Sequence, residues 1–247
     1  MPRANRISSP GYVWHLTHRC HEKLFLLRFR MDRRRWRHWL FEARRRYGLS
    51  VLNYIVTCNH IHLLVLDNGN DEIARSMQLV AGRTAQEYNQ RKCRRGAFWE
   101  DRYHATAVAT DHHFLRCMTY IDLNMVRAGV VNHPADWDVS GYSEIQNPWK
   151  RKGVIDFVAL RRLLNTDSNG RLAINLRLAV EQQTTASVRE GAWTEAVGVG
   201  GEDFLENLKE SIGPSARHRH IGNNNALRIL REDADSYFAN TPPKTAI

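Results

Sequence analysis

Two apolar runs, LSVLNYIVTC (49–58) and HIHLLVLD (60–67), stand back to back with only Asn59 between them. Both runs are short and rich in branched aliphatic residues, which is typical of buried β-strands. A single intervening residue leaves room only for a tight turn, so the pattern predicts two neighbouring strands of one sheet. The rest of the chain must then supply the other strands and the helices that cover this sheet.

The segments around this pair alternate between strand and helix patterns. Two of them predict strands and three predict helices: strands at 11–20 and 97–109, and helices at 28–48, 71–92 and 111–129. Asp111 is a suitable N-terminal cap for the last helix, and Gly48 and Gly129 are suitable terminators. The resulting order predicts an α+β fold, a ferredoxin-like β-α-β-β-α-β core with one additional helix after it.

The pattern changes beyond about residue 146. NPWKRKG has the composition of a connector, and DFVALRRLL and EDFLENLKESIG are short helical patterns. We therefore predict two parts, a domain at 1–146 that carries the chemistry and a mainly helical C-terminal extension at 147–247. DNA binding is one candidate role for the extension, although its near-neutral charge does not favour a purely electrostatic contact.

The composition indicates the cellular setting. No stretch reaches the ~20 consecutive apolar residues that a membrane helix needs. The segment MPRANRISSP lacks the apolar core of a secretion signal, which predicts a cytoplasmic protein without membrane association. The four cysteines are scattered and form no C-x-x-C pair, so neither a disulfide framework nor a zinc knuckle is indicated.

The net charge of +10 is concentrated in the first part of the chain. Residues 1–150 contain 23 Lys and Arg against 14 Asp and Glu, a net of +9, whereas residues 151–247 contain 13 against 12, a net of +1. A basic excess of this kind favours a polyanionic partner, most simply a nucleic acid. A basic protein without such a partner is the alternative, since charge alone does not identify a ligand.

Several side chains are candidates for contacts with a nucleic acid. Nine arginines lie between Arg28 and Arg46, either on a solvated helix face or close to anions. Trp99 and Tyr103 could stack on unpaired bases, although packing in the core explains them slightly better. The candidate phosphate contacts are Arg44, Arg45, Arg46, Arg91, Lys92, Arg94, Arg95, Arg102 and Arg127. For Arg127, a contact with the end of its own helix is the alternative.

His60 and His62 are two residues apart in the second apolar run. Alternate residues of a strand share a face, so both imidazoles project to one side while Ile61 projects to the other. Adjacent imidazoles are good ligands for a divalent metal, and a half-buried structural pair is an equally good interpretation of this motif alone. A second triplet, HRH (218–220), lies in a polar context and is interpreted as loop or surface.

Tyr120 and Asn124 are four residues apart in the helix predicted at 111–129, and they therefore share a helical face. Tyr120 offers a hydroxyl and Asn124 a carbonyl oxygen, which could be a nucleophile and a further metal ligand. From periodicity alone, an ordinary core tyrosine is the better interpretation of Tyr120.

The order of the motifs resembles that of a known family. The segments GYVWHLTHR, CNHIHLL, YIDLNMVRAGVV and HPADWDVSGYSEI are similar to those of the IS200-like single-tyrosine transposases, and most of all to their REP-associated branch. This resemblance covers about residues 10–146 and implies an HUH-type transposase domain. In the extension, WTEAVGVGGEDFLENLKESIG is similar, less specifically, to the tail of some longer members.

The resemblance also implies roles for individual residues. His60 and His62 match the metal motif, Asn124 matches a third metal ligand on a helix, and Tyr120 matches the nucleophile. The implied cofactor is a divalent metal, Mg²⁺ or Mn²⁺, and no nucleotide cofactor is expected. The implied partner is single-stranded DNA with hairpin, palindromic structure. The sequence does not determine the oligomeric state.

The chain departs from the family pattern at two positions. Cys58 stands where many members have proline, and Met125 stands where proline often follows the asparagine. Neither change removes a catalytic group. The second change could alter the bend of the helix and so the approach of Tyr120 to its substrate.

The implied reaction is a transesterification in which the Tyr120 hydroxyl attacks a phosphodiester, expels a 3′-OH and forms a 5′-phosphotyrosine link. A free phenol has a pKa of about 10 and is a poor nucleophile at neutral pH, so a metal acting as a Lewis acid would assist. Two alternatives stay open. One is a domesticated, non-catalytic DNA-binding protein of the same fold, and the other is a metal-dependent nucleic-acid hydrolase in which Tyr120 is structural.

Overall fold

The structure is a computed structural model that describes residues 10–148, 153–183, 190–224 and 227–232. Most of the predicted connector NPWKRKG and the segment before Pro10, on which the prediction about secretion depends, lie outside the described residues. None of the helices in the described ranges is both long and apolar enough to cross a membrane.

Four strands and two long helices form the first part of the chain in the predicted order. They are β1 (Val13–Arg19), α1 (Arg30–Tyr47), β2 (Ser50–Val56), β3 (His60–Leu66), α2 (Glu72–Arg91) and β4 (His104–Val108). The strands lie in the order β2-β3-β1-β4, and every neighbouring pair is antiparallel. This arrangement is that of a ferredoxin-like core, so the predicted fold class is confirmed. The last strand is shorter than the pattern at 97–109 indicated.

The two faces of this four-stranded sheet are covered by different helices. Tyr54 of β2 projects towards α1, where Nε of Arg37 donates to its hydroxyl at 2.8 Å. The preceding residue, Asn53, projects to the opposite face and donates from Nδ2 to a backbone carbonyl of α3 (His112–Asp122) at 3.3 Å. The register of β2 against β3 places His62 on this second face. The histidine motif and α3 therefore meet on one side of the sheet.

The single helix predicted over 111–129 is divided into two. Asp111 caps α3 as predicted, since its side chain accepts from a backbone N–H of the first turn. The helix ends before Leu123, which has φ −77° and ψ 2°, and α4 (Asn124–Arg127) follows it. Gly129, at φ 66°, lies just beyond α4. The interruption of the helix at Leu123 lies between Tyr120 and Asn124, although the N–H of Leu123 still donates to the Thr119 carbonyl at 2.9 Å.

The C-terminal extension continues the same sheet. The remaining elements are α5 (Gly141–Gln146), α6 (Phe157–Leu163), α7 (Asn169–Gln183), α8 (Ala192–Glu195), β5 (Gly198–Val199), α9 (Glu202–Ile212), β6 (Arg219–Asn224) and β7 (Leu227–Glu232). The full strand order is β2-β3-β1-β4-β5-β7-β6, with β5 parallel to β4. The helices α6 and α9 were predicted, whereas the three strands were not, and the HRH triplet falls mostly on β6 instead of in a loop. The boundary at residue 146 stays a prediction.

Most arginines of the helix α1 form ion pairs with carboxylates of the same chain. The ion pairs join Arg30 and Arg34 to Asp138, Arg35 to Glu87, Arg37 to Glu144, and Arg45 and Arg46 to Glu42. Apart from the buried pair of Arg37 and Glu144, these pairs are at least partly exposed and contribute little to stability, but they do supply anions beside the arginines. The cluster on α1 therefore does not by itself indicate a bound polyanion.

Candidate active site

A cleft of about 950 Å³ opens at the edge of the sheet where β1 ends and β3 begins. Its walls come from β1, the turn before β3, the loop before β4, the α3–α4 junction and α8. The four residues that sequence analysis selected for chemistry all line this cleft: His60, His62, Tyr120 and Asn124. Folding therefore brings together two motifs that are about 60 residues apart in the chain.

The histidine motif and Asn124 are in direct contact. Asn124 donates from Nδ2 to Nε2 of His62 at 2.9 Å. The ring centroid of His60 lies 4.9 Å from that of His62. Nδ1 of His60 lies 2.8 Å from Oδ1 of Asn59, an acceptor, so Nδ1 carries the proton and Nε2 of the neutral ring carries the lone pair. Two imidazoles and one amide are a suitable ligand set for a divalent metal.

His15 of β1 lies behind His62, and the sequence analysis did not select it. Nε2 of His15 lies 2.9 Å from Nδ1 of His62, and Nδ1 of His15 lies 2.8 Å from the carbonyl oxygen of Trp193. Burial lowers the pKa of His15 to about 3, and burial together with the neighbouring His60 and His15 lowers the pKa of His62 well below its ordinary value. Both rings are therefore neutral near pH 7.

Tyr120 lies against the same group of rings. Its ring centroid is 5.9 Å from that of His62 and 6.2 Å from that of Trp193. The guanidinium of Arg127 lies 4.1 Å from the Tyr120 centroid, and it also donates to the Tyr120 carbonyl at 2.7 Å. The contact of Arg127 with its own helix, one of the two interpretations of this residue, is thus present. Although Tyr120 is largely buried, it reaches the cleft wall.

Both basic and acidic side chains line the cleft. Lysine and arginine together outnumber aspartate and glutamate by one. The four basic and three acidic side chains are Arg19, Lys23, Arg102, Arg127, Glu100, Asp101 and Glu195. Several cationic groups around a cleft attract a phosphate backbone, whereas the acids limit how strongly any one stretch is held.

The other predicted DNA contacts divide by their position on the sheet. Four of them lie at the end of α2 or just after it, on the same edge as the cleft: Arg91, Lys92, Arg94 and Arg95. Nearby Trp99 forms an isolated β-bridge with Cys20, just beyond β1. Two of these four basic residues have structural contacts. Arg94 donates to the carbonyls of Gly96 and Ala97 and so holds its own loop, and Arg91 donates to the buried carboxylate of Asp32.

Arg44, Arg45 and Arg46 lie elsewhere. They end α1 just before Ser50, which pairs with Leu66 at the far end of β3 from His60. Six residue steps of strand separate these ends, or roughly 20 Å. The structure therefore does not bring these three arginines to the cleft, and their DNA contact stays a prediction.

The aromatic candidates occupy interior positions. Trp99 stacks on His18 with centroids 4.1 Å apart and donates from Nε1 to the carbonyl of Ala81 at 3.0 Å. Tyr103 meets the same histidine edge-on at 6.4 Å. These contacts favour packing over base stacking. The exposed aromatic side chains in the connection from β1 to α1 are Phe25 and Phe29, which the sequence analysis did not select.

A second group of possible metal ligands lies at the other end of α3. Ligand atoms of Asp111, His112 and His113 all lie within 4.8 Å of one another. However, Oδ1 of Asp111 already accepts from the backbone N–H of His113 at 2.8 Å and lies 2.6 Å from its Nδ1. These contacts are those of a helix cap. Tyr120 is eight residues further along, about 12 Å away along the helix axis.

A comparison with protein families shows what the part of the chain that carries this arrangement is similar to. Residues 10–124 match the family model described as Transposase IS200 like.

This match covers a little under half of the chain.

The matched segment includes both histidines of the motif, Tyr120 and Asn124, and it ends before the extension. Over this segment the chain is thus a transposase-like, DNA-processing protein, and the resemblance inferred from the motifs is confirmed. Among curated proteins, no match to the chain was found.

Solved structures include a similar chain, described as the structure of the REP associates tyrosine transposase bound to a REP hairpin. It is 21% identical to this chain, with a TM-score of 0.47. The similarity covers 64% of this chain and 96% of that one.

Proposed function

We propose that the protein cleaves and rejoins hairpin-bearing single-stranded DNA by transesterification at Tyr120, with a divalent metal, Mg²⁺ or Mn²⁺, held by His60, His62 and Asn124. The observation that carries this proposal is the contact between Asn124 and Nε2 of His62, made beside the ring of Tyr120 in a cleft lined by four basic and three acidic side chains. The groups proposed as nucleophile, metal ligands and phosphate contacts therefore lie in one cleft, which supports the proposal.

The residues fit a divalent metal by their chemistry. Nε2 of His62 accepts a hydrogen bond from Asn124, so its lone pair is directed at the amide. The two ends of an amide exchange by rotation of the side chain, and the rotated Asn124 would present Oδ1, a ligand atom, in place of Nδ2. When bound, the metal supplies Lewis-acid charge to the scissile phosphate.

The proposed chemistry balances without an energy source. A bond forms between the Tyr120 oxygen and phosphorus while the bond from phosphorus to the 3′-oxygen breaks. The phenol gives up one proton and the leaving 3′-oxygen takes up one, so that the products are a 5′-phosphotyrosine and a free 3′-OH. Attack by another 3′-OH reverses these steps and joins two strands. Arg127 holds the Tyr120 backbone and adds a positive charge next to the phosphate position.

The reaction products distinguish this proposal from its alternatives. Because the family resemblance implies a hairpin substrate, we would incubate the protein and Mn²⁺ with single-stranded hairpin DNA labelled at either end. The proposal predicts one fragment with a free 3′-OH and a second fragment attached at its 5′ end to protein in a denaturing gel. Cleavage with both fragments free of protein would indicate a hydrolase. Binding without cleavage of any hairpin offered would indicate a non-catalytic DNA-binding protein.

A further inference from the structure

The extension reaches the candidate metal site through a chain of hydrogen bonds. Its members are the carbonyl oxygen of Trp193, the ring of His15 and the ring of His62, with contact distances of 2.8 and 2.9 Å. Trp193 lies outside the family-matched segment, which ends at residue 124. Neither His15 nor Trp193 was given a role by the motif analysis.

The direction of each bond follows from chemistry. A carbonyl oxygen can only accept, so Nδ1 of His15 carries a proton and donates to Trp193. At the other end of the chain of bonds, Nδ2 of Asn124 can only donate, so Nε2 of His62 bears the lone pair. The proton of the His62 ring is therefore on Nδ1, and Nδ1–H donates to Nε2 of His15 at 2.9 Å.

The strands hold the two rings in this relationship. Thr17 of β1 lies opposite His62 of β3, and His15, two residues before Thr17, shares its face. The rings stack at a centroid distance of 5.0 Å with an interplanar angle of 15°. His15 cannot turn away without leaving both of its buried nitrogens unpaired, which is costly.

The carbonyl at the start of the chain of bonds is also fixed. Trp193 is completely buried, and its indole Nε1 donates to Glu190 at 2.6 Å. Thr106 of β4 donates from its hydroxyl to the carbonyls of Ala196, at 2.7 Å, and Trp193, at 3.3 Å. The backbone N–H of Ala107 donates to the carbonyl of Val197 at 2.9 Å. These contacts fix α8 to the sheet beside the cleft.

We propose that His15 is a positioning residue, through which the Trp193 carbonyl of the extension fixes the tautomer and orientation of His62 and directs its Nε2 lone pair to the metal position. Metal-binding histidines commonly donate their second nitrogen to such a partner, and loss of that partner typically weakens metal binding about 10- to 100-fold. The inference depends on the proposed metal site at His62, but not on the nucleophilic role of Tyr120. It also gives residues 192–199 a part in the site.

The test compares His15→Gln with His15→Leu in the full-length protein. A glutamine can donate from its amide to the Trp193 carbonyl and accept from Nδ1–H of His62, whereas a leucine can do neither. We expect the dissociation constant for Mn²⁺, measured by electron paramagnetic resonance, to rise about 10- to 100-fold in His15→Leu and to stay within about 3-fold of wild type in His15→Gln. Equal loss in both variants, or no loss in His15→Leu, would overturn the proposal.

A second measurement needs no variant. In metal-free wild-type protein, long-range ¹H–¹⁵N spectra should show His62 protonated at Nδ1 and unprotonated at Nε2, and a proton on Nε2 would contradict the inference. If His15→Leu does not fold, the glutamine variant and this spectrum decide the question. Neither readout involves DNA, so a failure of the transesterification proposal would leave both results interpretable.

Discussion

Asn124 and His62 are separated by 62 positions in the chain, yet the amide of the first donates to Nε2 of the second at 2.9 Å. Asn124 makes this contact from the first residue of α4, just after the interruption of the helix at Leu123. Proline often follows the corresponding asparagine in the family, and this chain has Met125 there. The helix is interrupted without proline, so the departure at Met125 has not removed the contact.

The first prediction concerns Asn124 as a ligand. Asn124→Ala removes an oxygen ligand and should weaken Mn²⁺ binding by about tenfold or more, which corresponds to ~1.4 kcal/mol. Asn124→Asp offers a carboxylate oxygen of similar size and should retain binding. Isothermal titration calorimetry measures both affinities. The control is His112→Ala in the exposed group at the start of α3; if that variant alone lost the metal, the site would have been assigned to the wrong residues.

The second prediction compares two exposed arginines at opposite edges of the sheet. Arg102 lines the cleft, whereas Arg45 lies at the far end of α1. Arg102→Ala should weaken binding of single-stranded hairpin DNA several-fold and reduce the salt dependence of the affinity by about 0.7 in log–log slope. Because Arg45 lies roughly 20 Å from the cleft, Arg45→Ala should have a smaller effect on both. Fluorescence anisotropy at several salt concentrations tests this, and a larger effect from Arg45 would place the DNA on another surface.

The third prediction concerns stability in acid. Burial, only partly offset by a hydrogen bond to the Asp101 carbonyl at 2.8 Å, lowers the pKa of His18 to about 4. The unfolded chain therefore binds a proton on this residue between pH 6.5 and 4 that the folded chain does not. The contribution of His18 to stability is complete above pH 6.5 and falls as the pH decreases to 4, by up to ~1.4 kcal/mol per pH unit.

Urea unfolding of His18→Gln across this range provides the measurement. In the variant, the free energy of unfolding should fall less steeply as the pH decreases, by up to the contribution of one bound proton. Glutamine does not titrate, but it can still donate to the Asp101 carbonyl. His112→Gln removes a strongly exposed histidine and should keep the wild-type slope. Identical slopes in wild type and His18→Gln would show that His18 does not titrate abnormally.

The fourth prediction concerns Asp122, a buried acid between Tyr120 and Asn124 in the sequence. Burial raises the pKa of Asp122 to about 8, against a hydrogen bond that Nδ2 of Asn53 donates to Oδ1 at 3.0 Å. The folded chain thus retains a proton that the unfolded chain releases above pH 3.8. Stability from this residue is greatest below pH 3.8 and falls as the pH rises to 8.

Asp122→Asn should therefore stabilise the protein at pH 7, by up to roughly 4 kcal/mol, and by less at pH 4. The amide keeps an acceptor for Asn53 and places an N–H where the acid proton was. Thermal melts at the two pH values measure the difference. A destabilised variant at pH 7 would mean that the carboxylate is charged in the fold.

The strands and helices around the site were predictable because their signals are local. The apolar runs of β2 and β3, the left-handed glycine at Gly48 and the cap at Asp111 each follow from a few neighbouring residues. The strands of the extension were not predictable in this way. β5 has only two residues, Gly198 and Val199, and β6 is half-exposed and polar, so neither has a strand-like hydrophobic pattern.

The residues that surround the two motifs in the site were harder to predict than the motifs themselves. A histidine inside the apolar segment GYVWHLTHR was a signal for His15, since an unpaired polar side chain is costly in a buried strand. No local pattern connects it to Trp193, because the two residues are 178 positions apart in the chain and only folding brings them together. Arg44, Arg45 and Arg46 were selected by charge alone, and charge does not indicate at which edge of a sheet a helix ends.

The covalent adduct tests the central proposal most directly, and it is the fifth prediction. Wild-type protein incubated with labelled single-stranded hairpin DNA and Mn²⁺ should give a protein–DNA adduct in a denaturing gel. Tyr120→Phe removes only the hydroxyl and should give none while it binds the DNA with unchanged affinity, and Tyr103→Phe, which alters a tyrosine outside the cleft lining, should form the adduct normally. An undiminished adduct in Tyr120→Phe would contradict the account.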